Sequence, residues 1–438
     1  MEPSTGLNHA GSVDRRDFRR WATDRLDPPQ ALHRVVTTTS KVSSTVTSVR
    51  PHSSPHPNPL GHTTSTTYER HSLDRAVNLS DAHCRQPLTS SQKKIVERFP
   101  ELFHEARERS QSELEEEFLT AFLRLACEPM HRDLSRYMLS YSASSAITMV
   151  ASHCARAGKR VALIEPVFDN ISSILRRENV ELVPLPEQDC TAEHLPAALA
   201  RLDPAVVWLV SPNNPTGWTL SESEFGTLVQ CCADRRCTLV LDSSFRFFAP
   251  LPTGWSQYEI LEESGISYIV LEDTGKTWAT SEMKVGLTVC SPDMYTEMYR
   301  LHDDLLQSVS PFHLRILTEF IEDSSRNGIE RSILPSVLQN RDILRSILSG
   351  GELQFLTGVR SPVSVDWLRL QEGMDCEEFV REAIRAGVHV LPGTNFFWNR
   401  PERGRNFVRV ALARDPRLML EGARLLRDTA NRLAAQDA

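Results

Sequence analysis

The sequence predicts an α/β protein: a mostly parallel seven-stranded sheet sandwiched by helices, with a smaller α+β domain. Three observations carry this. From about residue 135, short apolar or β-branched runs alternate with stretches of helical periodicity. The runs are apolar throughout, as strands covered on both faces must be. Near the C-terminus strands and helices mix without that crossover rhythm.

The seven runs are "YMLSY" (137–141), "VALIE" (161–165), "ELVPL" (181–185), "AVVWLV" (205–210), "TLVLD" (238–242), "YIVLED" (268–273) and "LTVCS" (287–291). Helical patterns at 144–157, 168–178, 191–201 and 221–234 lie between most of them. Together they outline a large domain over 135–305. Residues 76–134 read as the N-terminal helical part of a small domain, helical over 89–127 with Thr89 or Ser90 as N-cap. Residues 306–438 read as its C-terminal part. A long helical stretch covers about 292–348. Then come "FLTGVRSPVSVDWL" (355–368), a helix near 375–386, "VHVLPG" (388–393), "FVRVALA" (407–413) and a last helix at 416–435.

The first residues differ. "DRRDFRRWATDRL" faintly resembles a twin-arginine export signal, but no apolar segment follows it, so export is rejected. Residues 37–67 are more than half Ser and Thr. Such composition buries too little apolar surface to offset its ordering entropy, and 1–75 is expected to be a largely disordered tail.

Composition excludes several classes. The chain has 438 residues, 40% hydrophobic and 24% charged, with a net charge of −8. A nucleic-acid partner wants a basic face instead. No apolar run nears the roughly 20 residues of a membrane helix. Nine Cys lie scattered without C-x-x-C spacing, which suits reduced thiols in a cytoplasmic chain. No metal site is expected, since the spacing of Cys231, Cys232 and Cys237 does not suit tetrahedral ligation.

In parallel sheets of this kind ligands bind beyond the carboxyl ends of the strands. After "YMLSY", "SASSAI" (142–147) opens a helix with small residues, an anion site or an ordinary Ser cap. After "VALIE" comes Phe168, a core aromatic or a stacking face. After "AVVWLV" comes "SPNNPTG" (211–217). Asp242 ends the fifth run, where its ionised form needs a partner. "TGKTWATSEMKVG" (274–286) follows the sixth, and Lys276 just past a buried strand can become a nucleophilic amine. An anion cradle, an aromatic, an amide, a carboxylate and a lysine thus follow one another at successive strand ends. Together they describe a pocket for a planar, phosphorylated, carbonyl-bearing ring with a basic nitrogen.

This order resembles the class I/II aminotransferases, the pyridoxal-phosphate (PLP) enzymes of fold type I. "NNPTG" is close to their N-P-T-G signature, and "TGKTWATSEMKVG" looks like their lysine segment. The likeness runs from about 135 to 415, and more weakly back to 76. It implies that Lys276 forms a Schiff base with the PLP aldehyde and later moves the proton at the substrate α-carbon. Asp242 would pair with the ring nitrogen, Asn214 with the ring hydroxyl oxygen, and Phe168 would stack on the ring. The backbone amides of Ala143 and Ser144, with the Ser144 hydroxyl, would hold the phosphate. Arg409 would bind the carboxylate of an amino-acid substrate. "VHVLPGTNF" (388–396) resembles the segment lining the substrate side.

The chain departs from the family in places. Lys284 stands where an Arg is usual, and Asp273 stands where a Ser meets the phosphate, so Thr274 is expected to supply the hydroxyl. Phe245 replaces a common Tyr. The usual Tyr-and-Gly segment is not recognisable around 105–135. "NLSDAHCRQ" (78–86) is polar where the family covers its substrate, and Asp81 and His83 face the substrate or serve as turn residues. Asn213 shapes its loop or faces the substrate. The resemblance implies a homodimer and, as simplest reaction, transamination. Elimination, replacement or cyclisation in specialised amino-acid metabolism is the alternative, and a non-catalytic binding protein on this fold the remote one.

Overall fold

A computed structural model describes residues 63–128, 133–249, 254–356 and 361–437. All seven predicted strands are present: β1 (Tyr137–Ser140), β2 (Val161–Glu165), β3 (Leu182–Pro186), β4 (Val206–Val210), β5 (Thr238–Asp242), β6 (Tyr268–Asp273) and β7 (Gly286–Cys290). They form one sheet in the order β1-β7-β6-β5-β4-β2-β3. Strands β2 to β6 run parallel, and β7 runs antiparallel to both β6 and β1. The sheet is buried on both faces; β2, β4, β5 and β6 have no exposed residue. That explains their continuous apolar reading.

The expected crossover helices follow, among them α2 (Ala143–Arg156) and α3 (Asp169–Arg177). Ser142 caps α2, its side chain accepting from the Ser145 N–H. Thr89 is the N-cap predicted for the N-terminal helices, in a capping box with Gln92. The helical stretch of 292–348 is divided into Pro292–Leu305, Pro311–Asn327, Ile329–Ser332 and Leu334–Leu348. Three of these start with Pro in the first turn, where a missing N–H costs nothing. A second, antiparallel sheet joins Leu391–Pro392, Phe407–Ala411, Val365–Leu370 and Leu353–Phe355 in that order.

One expectation needs correction. Residues 1–62 of the predicted tail lie outside the described residues, but Ser65–Ser72 forms a helix, α1. Thr64 caps it, and the Asp169 carboxylate at the start of α3 accepts from the Ser65 N–H at 2.9 Å. The Asn395 side chain donates to the Thr63 carbonyl at 3.1 Å. Composition misled here because these anchors come from residues distant in the chain.

Behind β5 and β6 lies a buried charge cluster. Arg246 donates from Nε to Glu272 (2.8 Å) and from Nη1 to Glu128 (2.6 Å), and the Tyr258 hydroxyl donates to Glu272 at 3.1 Å. Burial, opposed by Arg246, pushes Glu272 from 4.5 up to about 7. The folded state therefore keeps a proton that the unfolded chain has lost. This contribution is greatest below about pH 4.5 and declines until pH passes about 7. Glu272→Gln is expected to flatten that decline, which at roughly 1.4 kcal/mol per pH unit across the window amounts to a few kcal/mol. Denaturant unfolding of both proteins at pH 5 and pH 8 reads the difference.

Candidate active site

The carboxyl ends of the parallel strands open on a cleft of ≈ 660 Å³, counting its mouth. Ala143, Ser144, Phe168, Asn214, Asp242, Lys276, Lys284, His83 and Arg409 all line it. Residues far apart in the chain thus face one space. Each strand end places its residue for a local reason. Asp242 is the last residue of β5 and is buried; its Oδ1 accepts from the Ser244 N–H (2.9 Å) and hydroxyl (2.5 Å). Burial raises its pKa, against those two donors. Lys276 ends a short 3-10 turn begun at Thr274, directly after β6.

The "SPNNPTG" turn treats its two amides differently. Asn213 is buried and its Nδ2 donates to the Pro166 carbonyl (2.9 Å) and to Glu187 (2.7 Å). It does not line the cleft, so a substrate contact from Asn213 is corrected to a loop-shaping role. Gly217 takes a φ of +71° and its N–H donates to the Asn213 carbonyl at 2.8 Å; a side chain would strain that φ. Asn214 is thereby aimed into the cleft, where its Oδ1 accepts from Arg409 Nη1 at 3.4 Å.

The anion end differs from expectation twice. The Ala143 N–H donates to Asp273 Oδ2 at 3.0 Å, and Asp273 Oδ1 accepts from the Gly275 N–H at 2.6 Å. The amide expected to hold a phosphate is already taken by a carboxylate. Thr274 is fully buried, and its hydroxyl donates to the Val285 carbonyl (3.1 Å) and accepts from the Val285 N–H (2.8 Å). It lies off the cleft and supplies no phosphate hydroxyl. What remains is Ser144 at the start of α2, whose hydroxyl accepts from Asn170 at 2.8 Å, with Lys284. Gly286, ten residues after Lys276, is required by close approach: a Cβ there would lie 2.7 Å from the Ser142 carbonyl carbon. Asp273→Ser should free the Ala143 N–H and remove a like charge. PLP affinity, measured by fluorescence titration of the apoprotein, is expected to tighten about tenfold, the effect of one charged contact.

On the opposite wall stands the segment 78–86. His83 lines the cleft, with Nε2 3.1 Å from Lys284 Nζ and Nδ1 3.5 Å from both Asp81 and Glu282. The nearby Lys276 charge, then burial, lower its pKa. A neutral ring with its proton on Nδ1 accepts from Lys284 and faces the two carboxylates. Asp81 is fully buried and off the cleft, so the substrate-facing option is corrected to a turn role. Burial works against its charge, but the His83 hydrogen bond and the Arg414 and Arg85 cations outweigh it and hold it well below the usual carboxylate range.

Two contacts had no sequence signal. Arg409, on strand Phe407–Ala411, is fully buried. Its Nη2 donates to Glu69 of α1 at 3.1 Å and to the Ser80 carbonyl. Its guanidinium carbon lies 5.8 Å from the Phe168 ring centre and 5.6 Å from that of Phe396. Burial lowers its pKa, with Glu69 opposing. Glu69 lines the cleft, and burial raises its pKa against Arg409 and Lys276. The second contact is Cys84, whose thiol donates to the Lys276 backbone carbonyl at 2.8 Å. Glu69 lay in a segment whose composition argued against structure; Cys84 was one of nine scattered thiols.

The donor set suits PLP. A lysine just past a buried strand, a buried carboxylate, an amide, an aromatic and a helix N-terminus with a second lysine converge on one cleft, and Arg409 Nε is buried without a partner. Comparison with known proteins agrees. The model of the family "Aminotransferase class I and II" matches residues 78–424. An aromatic aminotransferase of Arabidopsis thaliana is 25% identical over 274 residues, 59% of this chain and 67% of that one. A histidinol-phosphate aminotransferase of Burkholderia lata is 25% identical over 189 residues, and the chain spans about half its length (49%). Among solved structures, MppP soaked with the product 2-ketoarginine is 32% identical, with a TM-score of 0.74 over 81% of this chain and 99% of that one. The α-aminoadipate aminotransferase LysN of Thermus thermophilus, complexed with N-(5'-phosphopyridoxyl)-L-leucine, shares the fold at 19% identity and a TM-score of 0.70 over 84% and 95%.

Proposed function

Since this chain belongs to the class I and II aminotransferases, which use PLP, we propose that it removes the α-amino group from an amino acid whose side chain ends in a guanidinium or similar cation, by transamination. One observation carries this reading. The cleft that holds Lys276, Asp242 and Asn214 also holds an ion pair of a fully buried Arg409 with a partly buried Glu69.

When bound, PLP supplies an electron sink for charge developing at the substrate α-carbon. Lys276, Asp242, Asn214, Phe168, Ser144 and Lys284 would hold it. Lys276 Nζ is the base placed to accept the proton from the substrate α-carbon and hold it there as an ammonium. Asp242, fixed by Ser244, favours a proton on a nitrogen facing it. Arg409 and Glu69 select the substrate. Separating the partners of such a pair without replacing them leaves uncompensated charge, at about 1–3 kcal/mol. A substrate that offers only a carboxylate satisfies Arg409 and strands Glu69. One that offers a carboxylate and a cation replaces both partners at once. MppP, whose product is 2-ketoarginine, supports an arginine-like choice.

The test supplies holoprotein with arginine, with and without a 2-oxo acid acceptor. Expected is 2-ketoarginine formed in proportion to aminated acceptor. Product without acceptor, with free ammonia, would sink the transaminase reading. Glu69→Gln should raise KM for arginine roughly 10- to 100-fold, the worth of one charged hydrogen bond, and lower KM for a neutral amino acid, which then no longer strands a carboxylate.

The homodimer belongs to the same proposal. Tyr141, Tyr299 and Leu305 are 41%, 46% and 57% exposed, and Tyr141 and Leu305 share a groove with Ser145 in the first turn of α2. Large apolar side chains beside the cofactor end suit a second copy. A monomer by analytical ultracentrifugation with full activity would overturn it. A cytoplasmic place fits nine free cysteines, eight of them buried. No helix among the described residues is long and apolar enough to cross a membrane.

A further inference from the structure

We infer that Arg414 is a positioning residue for this site: by gripping the backbone of residues 78–83 it sets where Ser80, His83 and Cys84 meet Arg409, Lys284 and Lys276. The inference rests on the reading above for its substrate probe, but not for its structural measurements.

Arg414 lies just beyond the strand Phe407–Ala411, and only 2% of it is exposed. Its fork is spent on the backbone. Nε donates to the Asn78 carbonyl (2.6 Å), Nη1 to those of His83 (2.8 Å) and Ala413 (3.0 Å), and Nη2 to that of Asp81 (2.5 Å). Nη2 also pairs with Asp81 Oδ1 at 3.3 Å. All five N–H groups therefore have acceptors. Its own backbone is held in turn, since Asn340 Nδ2 donates to the carbonyls of Leu412 (2.7 Å) and Arg414 (2.8 Å).

The gripped segment is irregular, tied at Leu79 to His389 and Ala411 by backbone bonds and turned by the Asn78 side chain, which accepts from Ser80. Only Val77–Asn78 pairs as a strand, with Val388–His389. Yet it supplies three contacts to the site: the Ser80 carbonyl to Arg409, His83 Nε2 to Lys284 at 3.1 Å, and the Cys84 thiol to the Lys276 carbonyl at 2.8 Å. Three carbonyls turned toward one point, those of Asn78 and Asp81 buried and that of His83 partly so, need a donor set of that shape. A lysine offers a point charge instead of a fork, and an apolar residue leaves the carbonyls unpaired.

Arg414→Met and Arg414→Lys would be compared with wild-type holoprotein. Amide exchange should rise at least about tenfold across 78–86 in Arg414→Met, with the large sheet unchanged. The His83 ring, followed by NMR of labelled histidine and identified with His83→Gln, should titrate nearer an ordinary imidazole. Four charged neighbours face it now: Lys276, Lys284, Asp81 and Glu282. Affinity for 4-guanidinobutanoate, which has no α-amino group to react, should fall at least about tenfold by calorimetry, with Arg414→Lys between. If Arg414→Met does not fold, Asp81→Asn, which removes the ion pair and keeps the backbone bonds, should shift amide exchange and ligand affinity in the same direction by less, while His83 moves further below an ordinary imidazole because the lost Asp81 carboxylate is one that raises it. A lower melting temperature with His83 titration and ligand affinity unchanged would reduce Arg414 to a structural anchor and overturn the inference. If wild type fails to bind 4-guanidinobutanoate, the substrate reading falls. Exchange and His83 titration then decide the positioning role.

Discussion

Lys276→Ala loses the visible absorbance of lysine-bound PLP and at least about 10⁴-fold in turnover, while its circular dichroism matches that of the wild type. The size follows from two roles lost together, covalent attachment and proton transfer at the α-carbon. The fold should survive because the strand before the lysine is buried along its whole length, and the local turn is held by backbone groups and Thr274. Absorbance spectra with and without added PLP, beside single-turnover rates, make the measurement. A variant that keeps the wild-type band would show that another amine holds the cofactor.

Arg409→Ala should weaken binding of the substrate at least about 100-fold and keep the lysine-bound absorbance. It should also destabilise the protein, because a partly buried Glu69 is left without its cation, at about 1–3 kcal/mol. The sign with pH follows. Burial already raises Glu69, and removing Arg409 takes away the main opposing charge. The folded variant then prefers a protonated Glu69, so its stability falls as pH rises above the ordinary carboxylate range. Arg409→Ala should be closer to wild type at pH 5 than at pH 8. Adding Glu69→Gln should restore most of the stability and none of the binding, a double-mutant cycle that separates the two effects. Denaturant unfolding and calorimetry read the two halves. Loss of PLP absorbance in Arg409→Ala would place this arginine at the cofactor instead.

Sequence and structure agree where local chemistry decides. Strands buried on both faces read as apolar runs, and several are ended or closely followed by a polar residue whose type is wrong for a core. Lys276, Asp242 and Asn214 were legible for that reason, Phe168 through the resemblance, and all four line the cleft. The failures share another cause. The Ala143 N–H, Thr274 and Asn213 are polar groups of the right kind at the right place, but their partners are elsewhere in the chain: Asp273, Val285 and Glu187. A side chain that already has a partner is not available to a ligand, and pattern alone cannot tell which polar groups have been used.

The run of strands, the strand-end residues and the lysine segment were determined by the sequence itself, because periodicity and turn chemistry act over a few residues. Only the tertiary structure decided that Ser65–Ser72 is a helix, that Glu69 faces Arg409, and that Arg414 holds the 78–83 wall. The last two depend on a buried charge finding its partner across more than three-quarters of the chain. Burial makes such pairings strong and specific, and chain distance leaves no trace of them in any local pattern.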